Sequence, residues 1–111
     1  MRKVKLMTKA IERKAPALYA TEGVPNDDKV IVSKIFDPTG RFTFYLVEYN
    51  PITHIAFGYV VSALGPDCDE WGYADLTELD GVRGRFGLPL ERDYSFDLTG
   101  KTIGQVITNG R

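Results

Sequence analysis

The sequence predicts a single α+β domain, an antiparallel sheet of about four to five strands with short flanking helices. Three observations carry that expectation. β-Branched and aromatic runs of strand length recur through the middle of the chain, between Lys29 and Ala74. The turns between them are short and carry proline or glycine: Asp37-Pro38-Thr39-Gly40, Asn50-Pro51 and Gly65-Pro66-Asp67. Connections that short favour an antiparallel meander over parallel crossovers, which need a dozen or more residues.

Taken in order, Thr8 is placed to cap a helix over Lys9 to Lys14, with Arg13 and Lys14 at the end where the helix dipole favours positive charge. Pro16 stops it, Ala17 to Ala20 form an apolar turn, and Gly23 to Asp28 are dense in turn formers. Lys29 to Phe36 reads as the first strand and Arg41 to Tyr49 as the second. In the latter, Phe42, Phe44 and Leu46 alternate against Thr43, Tyr45 and Val47, so the pair forms a hairpin. Thr53 to Leu64 is a third strand, apolar on both parities and therefore interior, and Glu70 to Ala74 is a fourth. Asp75 or Thr77 caps a short helix through Leu79 that ends at Gly81. Val82 to Leu90 holds Gly84, Gly87 and Pro89 and reads as an ordered loop pinned by Phe86 and Leu88. Glu91 to Phe96 is a last strand, and Thr99 caps a final helix from Gly100 to Thr108.

Composition narrows the class further. A chain of 111 residues with 43% hydrophobic and 26% charged side chains has the makeup of an ordinary globular domain. At that length folding buries roughly 65% of the surface of the unfolded chain, enough for one core without staples. The lone cysteine, Cys68, excludes an internal disulfide and a zinc cluster, which points to a reducing, cytoplasmic setting. Arg2, Lys3 and Lys5 are followed by too broken an apolar run for a signal peptide, and no stretch approaches the roughly 20 apolar residues of a membrane span. No cofactor is expected.

Net charge is -1, but it is unevenly spread. Residues 1 to 14 hold six basic side chains against Glu12, a balance of +5, while residues 67 to 80 hold six acids and no base, a balance of -6. The chemistry-bearing residues give an enzyme little support. His54 is the only histidine, and Cys68 lies between Asp67 and Asp69, whose negative charge suppresses a thiolate. Asp67, Asp69 and Glu70 lack calcium-loop spacing, and the Gly81, Gly84, Gly87 series lacks a P-loop lysine. Arg83 and Arg92 are expected to form salt bridges to Glu22, Glu91 or Asp93 that fix the glycine-rich loop. The alternative reading gathers Arg83, Arg85 and Arg92 into an anion site. Direct nucleic-acid binding is disfavoured because the aromatic strands are flanked by acids.

Several stretches resemble a family of bacterial mobile-element domains of unknown function, DUF2958, found on plasmids, integrative elements and phages. The matching residues are Leu6 to Lys9, Pro16 to Glu22, Lys34 to Pro38, Glu70 to Tyr73, Leu76 to Leu79 and, above all, the Val82 to Asp93 run VRGRFGLPLERD. The chain departs from the family pattern at Phe42 to Tyr45, where members carry a tryptophan-rich strand, and at Arg85, where they carry proline. The resemblance implies an accessory protein of a mobile element in a bacterial cytoplasm.

The functional expectation is a non-enzymatic, protein-binding accessory that docks a basic-surfaced host or element protein. One form of that role is an anti-CRISPR-like block of a nucleic-acid-handling defence protein. Its contact residues are Asp67, Asp69, Glu70, Trp71, Tyr73, Asp75 and Glu78, since Trp and Tyr dominate interface energetics and the acids complement a basic partner. The alternative is a small-ligand or nucleotide-binding domain that uses the loop from Arg83 to Asp93.

Overall fold

The computed structural model describes residues 5–94 and 100–108. Its strands are β1 (Ser33–Phe36), β2 (Thr43–Tyr49), β3 (Ile55–Val61), β4 (Glu70–Asp75) and β5 (Glu91–Arg92). They form one sheet in the order β4-β3-β2-β1-β5, each neighbouring pair antiparallel. The expected α+β class and the meander of the first four strands are both observed.

Three six-residue helices flank the sheet: α1 (Lys9–Lys14), α2 (Leu76–Gly81) and α3 (Ile103–Thr108). Helices this short are marginal alone and depend on caps and packing. The Thr8 hydroxyl accepts from the Ile11 amide at 3.2 Å, and the Asp75 carboxylate accepts from the Thr77 amide at 2.8 Å, so both expected caps form. At α3 the cap is Thr102, inside the range first given to the helix. Its amide donates to Gln105 Oε1 at 2.9 Å and its hydroxyl accepts from the Gln105 amide at 3.4 Å, a reciprocal capping box. Thr99 lies outside the described residues, as do Ser95 and Phe96 of the expected last strand.

Two strand starts shift for a physical reason. Residues 29–31 leave the sheet to pair with the approach to α3: Ile31 N donates to Lys101 O at 2.9 Å, and Ile103 N to Lys29 O at 3.1 Å. This strap ties α3 to the body of the fold, so β1 begins only at Ser33. Strand β3 begins at Ile55 because His54 adopts φ of 67°, which breaks extended geometry.

The helices cover opposite faces. Under α1 and α2 lie Ile35, Phe44, Leu46, Ala56, Leu76 and Leu90, with Leu6 and Tyr49. Under α3 lie Ile31, Tyr45, Val47, Val61 and Ile103, with Phe57, Tyr59 and Trp71 packed at their margin. A β-bulge sets the boundary between the two. Leu46 pairs with Gly58 and Glu48 with Phe57, which leaves Val47 as the extra residue. The alternation of β2 slips by one there, so Val47 and Glu48 both serve the α3 face while Tyr49 returns to the other. Gly58 sits so tightly against the kink that a Cβ would lie 2.1 Å from the Tyr45 carbonyl oxygen.

The loop after α2 departs from expectation in how it is held. Phe86 does not pin it; the ring is 84% exposed, at the apex of the loop, with φ of 64°. The loop closes on itself, with Gly84 N donating to Leu88 O at 2.7 Å. It is anchored to the β1–β2 turn, where the Arg85 amide donates to Thr39 Oγ1 at 3.1 Å and Asp37 packs against Gly84. A methyl group on Gly84 would lie 2.7 Å from both Asp37 carboxylate oxygens, which explains the glycine there.

Candidate functional site

The bulge turns Glu48 towards the segment that follows α1. There the buried carboxylate accepts three hydrogen bonds: from the Tyr19 amide at 2.8 Å, from the Thr21 amide at 3.1 Å and from the Thr21 hydroxyl. Tyr49 N donates to Pro16 O at 2.9 Å, so the turn is held at both ends. Lys29, also buried, donates its ammonium to Thr21 O and, at 2.9 Å, to Thr21 Oγ1. Thr21 therefore bridges a buried acid and a buried base, and the hydroxyl that gives its proton to Glu48 takes one from Lys29.

Burial alone would push the Glu48 carboxyl up. The Thr21 hydroxyl, the Tyr19 and Thr21 amides and the Lys29 charge outweigh it and hold the carboxyl below its ordinary value. Charge-assisted bonds of this kind also hold Tyr19 at φ of 70°, a left-handed conformation costly for a bulky residue. The consequence is positional: Tyr19 is fixed beside the outer strand of the sheet.

On that strand, β4, Tyr73 pairs with Phe57 and Trp71 with Tyr59. The rings meet edge and face. Tyr19 and Tyr73 lie 6.3 Å apart between centroids, Tyr73 and Phe57 4.9 Å, Phe57 and Trp71 5.4 Å, and Trp71 and Tyr59 5.6 Å. These separations suit attractive ring pairs. Hydrogen bonding towards Tyr19 is the foremost influence that pushes the Tyr73 phenol up, followed by partial burial and the negative charges of Glu48 and Glu22. Tyr19, Glu22, Asn26, Lys29, Glu48, Phe57 and Tyr73 enclose a cleft of about 280 Å³. Tyr19 and Tyr73 remain 59% and 54% exposed, so its wall is open to solvent.

The acidic stretch named in the sequence does not form one patch. Asp69 is a structural residue: its side chain is 2% exposed, it pairs with Arg41 through two bonds of 2.7 and 2.9 Å, and it accepts from the Ser62 amide at 2.8 Å. Asp75 is occupied as the cap of α2. Asp67 and Glu70 are exposed at the start of β4, whereas Glu78 is exposed on α2 beyond its far end. Trp71 and Tyr73 belong to the α3 face, and Glu70 alternates to the opposite one. Of the expected contact residues, the structure thus brings Trp71 and Tyr73 together and leaves the acids dispersed around them.

Nor are the three loop arginines gathered. Arg83 turns back onto the carbonyls of Val82, at 2.9 Å, and Asp80, at 3.2 Å. Arg92 donates to the carbonyl of Lys5 and lies over the Tyr94 ring at 4.7 Å, while Arg85 is exposed. The salt bridge at this edge is Lys34 to Asp93, at 3.3 Å. The loop is fixed by backbone acceptors and by the Asp37 turn, in place of the expected arginine salt bridges.

Glu48, Lys29, Tyr19 and Thr21 escaped sequence analysis. One signal was present: a glutamate flanked by valine and tyrosine inside an otherwise apolar strand needs a partner if it is buried. A second cleft, of about 340 Å³, lies between α1 and α2 and includes Glu12, Tyr49, His54 and Thr77. There His54 is exposed and its Nδ1 lies 3.2 Å from Thr77 Oγ1. Burial, with Glu12 and Asp75, pushes the Tyr49 phenol up. Among the described residues, no group of three or more His, Cys, Asp and Glu is placed to hold a metal, and no helix is long and apolar enough to cross a membrane.

Fold and site define a small α+β domain with an aromatic cleft, floored by a buried hydrogen-bonded network that Thr21 bridges, at one edge of an antiparallel sheet. The chain belongs to the family described as protein of unknown function DUF2958, whose model matches residues 4–107. No curated protein and no solved structure matches it.

Proposed function

We propose that this chain is a non-enzymatic binding module, an accessory of a mobile genetic element that acts in the cytoplasm by docking a basic-surfaced protein. The observation that carries the reading is the row of rings from Tyr19 through Tyr73 and Phe57 to Trp71. Trp71 and Tyr73 lie on the outermost strand, Phe57 on the strand inside it and Tyr19 on the turn that Glu48 holds, and Tyr19 and Tyr73 remain more than half exposed. Pre-positioned aromatic rings give large contact area at little entropic cost, which is why Trp and Tyr anchor interfaces. Glu22, exposed at the cleft, supplies the negative charge beside the rings that steers a basic partner. Inhibition of a nucleic-acid-handling defence protein is one role that such a surface serves.

The test is a tagged capture from nuclease-treated bacterial lysate with wild type and Tyr73→Ala side by side. A stoichiometric protein retained by wild type and lost by the variant supports the reading. Retention by both proteins, or by neither, counts against it.

A further inference from the structure

Resting on that reading, we propose that the cleft beside Tyr19, Tyr73 and Phe57 receives an arginine side chain of the partner, with Glu22 and Glu48 as its counter-charges. Three features select this chemistry. First, the wall is aromatic and accessible, and a guanidinium stacks on ring faces while its edges stay hydrogen-bonded. Second, the cleft is electronegative on balance, since two carboxylates face one ammonium, that of Lys29, whose protons are directed to Thr21. Third, the volume of about 280 Å³ suits one long side chain and is small for a folded element.

The two carboxylates have different duties. Glu48 already accepts three hydrogen bonds and contributes its field, held ionised by the turn it supports. Glu22 is exposed on the rim and is free to swing onto an incoming guanidinium. Arginine suits the site better than lysine because it is less strongly hydrated and presents a flat face to the tyrosines. An anion is disfavoured by the same charge balance that attracts the cation.

The probe is the blocked tripeptide acetyl-Gly-Arg-Gly-amide, titrated into the 15N-labelled full chain, with the citrulline tripeptide as an uncharged isostere. The arginine peptide is expected to shift the amides of Tyr19, Glu48 and Tyr73 in a saturable way and the citrulline peptide to leave them in place. Glu22→Gln, on the rim and outside the fold's hydrogen-bonded network, should weaken the arginine peptide about 3- to 5-fold, the range of an exposed ion pair. Tyr73→Ala should weaken it about tenfold or more. Equal shifts from both peptides, or no shift at those amides, overturn the assignment. If the peptide is silent while partner capture still depends on Tyr73, the arginine assignment falls and the binding surface stands. If the peptide binds but capture ignores Tyr73→Ala, the cleft is a cation site and its assignment to the partner falls.

Discussion

The two faces of the sheet are covered by helices of equal length yet differ in what they bury. Under α1 and α2, Ile35, Phe44 and Leu46 are wholly removed from solvent, as apolar side chains are expected to be. Under α3, the buried set includes Ile31 and Ile103, but next to it a carboxylate and an ammonium are sealed in and four aromatic rings are left half covered. The apolar face supplies cohesion without direction. The other spends hydrogen bonds to hold particular rings in particular places, which is what recognition needs. Stability and binding are thereby assigned to opposite sides of one layer, and substitutions on the two sides should separate the properties.

The largest loss is expected on the apolar face. Phe44→Ala removes a fully buried ring from the middle of β2 and should cost about 3–5 kcal/mol in urea denaturation. A cost below about 1 kcal/mol would show that this face is not the cohesive one. Asp69→Ala leaves the Ser62 amide without its acceptor and should cost about 2–3 kcal/mol in the same assay, without help from any partner. It marks Asp69 as part of the frame, despite its place in the acidic stretch.

Glu48→Gln tests the other face. The amide retains one acceptor where the carboxylate offered two, and its NH2 is aimed at donors, so a loss of about 2–3 kcal/mol at neutral pH is expected. The sign of its pH dependence follows from the lowered native value. Stability from a depressed carboxyl is complete above its unfolded value, about 4.3, and is lost as pH falls through the native value. The gap between wild type and Glu48→Gln should therefore narrow in acid, and a gap that widened below pH ~4 would contradict the hydrogen-bonded carboxylate. Ser33→Ala runs the other way. The Ser33 hydroxyl is buried with no hydrogen-bond partner among the described residues, so removing it should stabilise the chain by about 0.5–1 kcal/mol.

The same division explains what was legible in the chain. The strands, both N-terminal helix caps and the short turns obey local rules, and Thr8, Asp75 and the Thr-Phe-Tyr-Leu-Val run of β2 announce them residue by residue. The candidate site does not. It depends on a one-residue slip at Val47, which no local pattern encodes, and on contacts spanning 27 to 29 positions between the Tyr19 turn and Glu48. Charge counting failed for a related reason: Arg41 and Asp69 are 28 residues apart, and their pairing turns an apparent surface acid into a buried brace. The capping box at Thr102 and Gln105 is itself a local pattern, a Thr-x-x-Gln spacing that marks the start of α3.

The smallest effect on folding should come from Tyr73→Ala, and that makes it the sharpest probe of the contrast. The ring is more than half exposed, lies on an edge strand and leaves no sealed cavity when truncated. A melting-temperature change of less than about 4 °C is therefore expected. Phe44→Ala, one strand further in than β3, should lower it by several times as much. The order should invert in partner capture once folding is controlled for: Tyr73→Ala abolishes capture while Ser33→Ala leaves it unchanged. Two faces with separate duties require that inversion, because a substitution that acted only through general loosening would reduce capture in proportion to lost stability. Were capture to track melting temperature across the five variants, the aromatic row would be part of the core's margin, and its half exposure would carry no recognition.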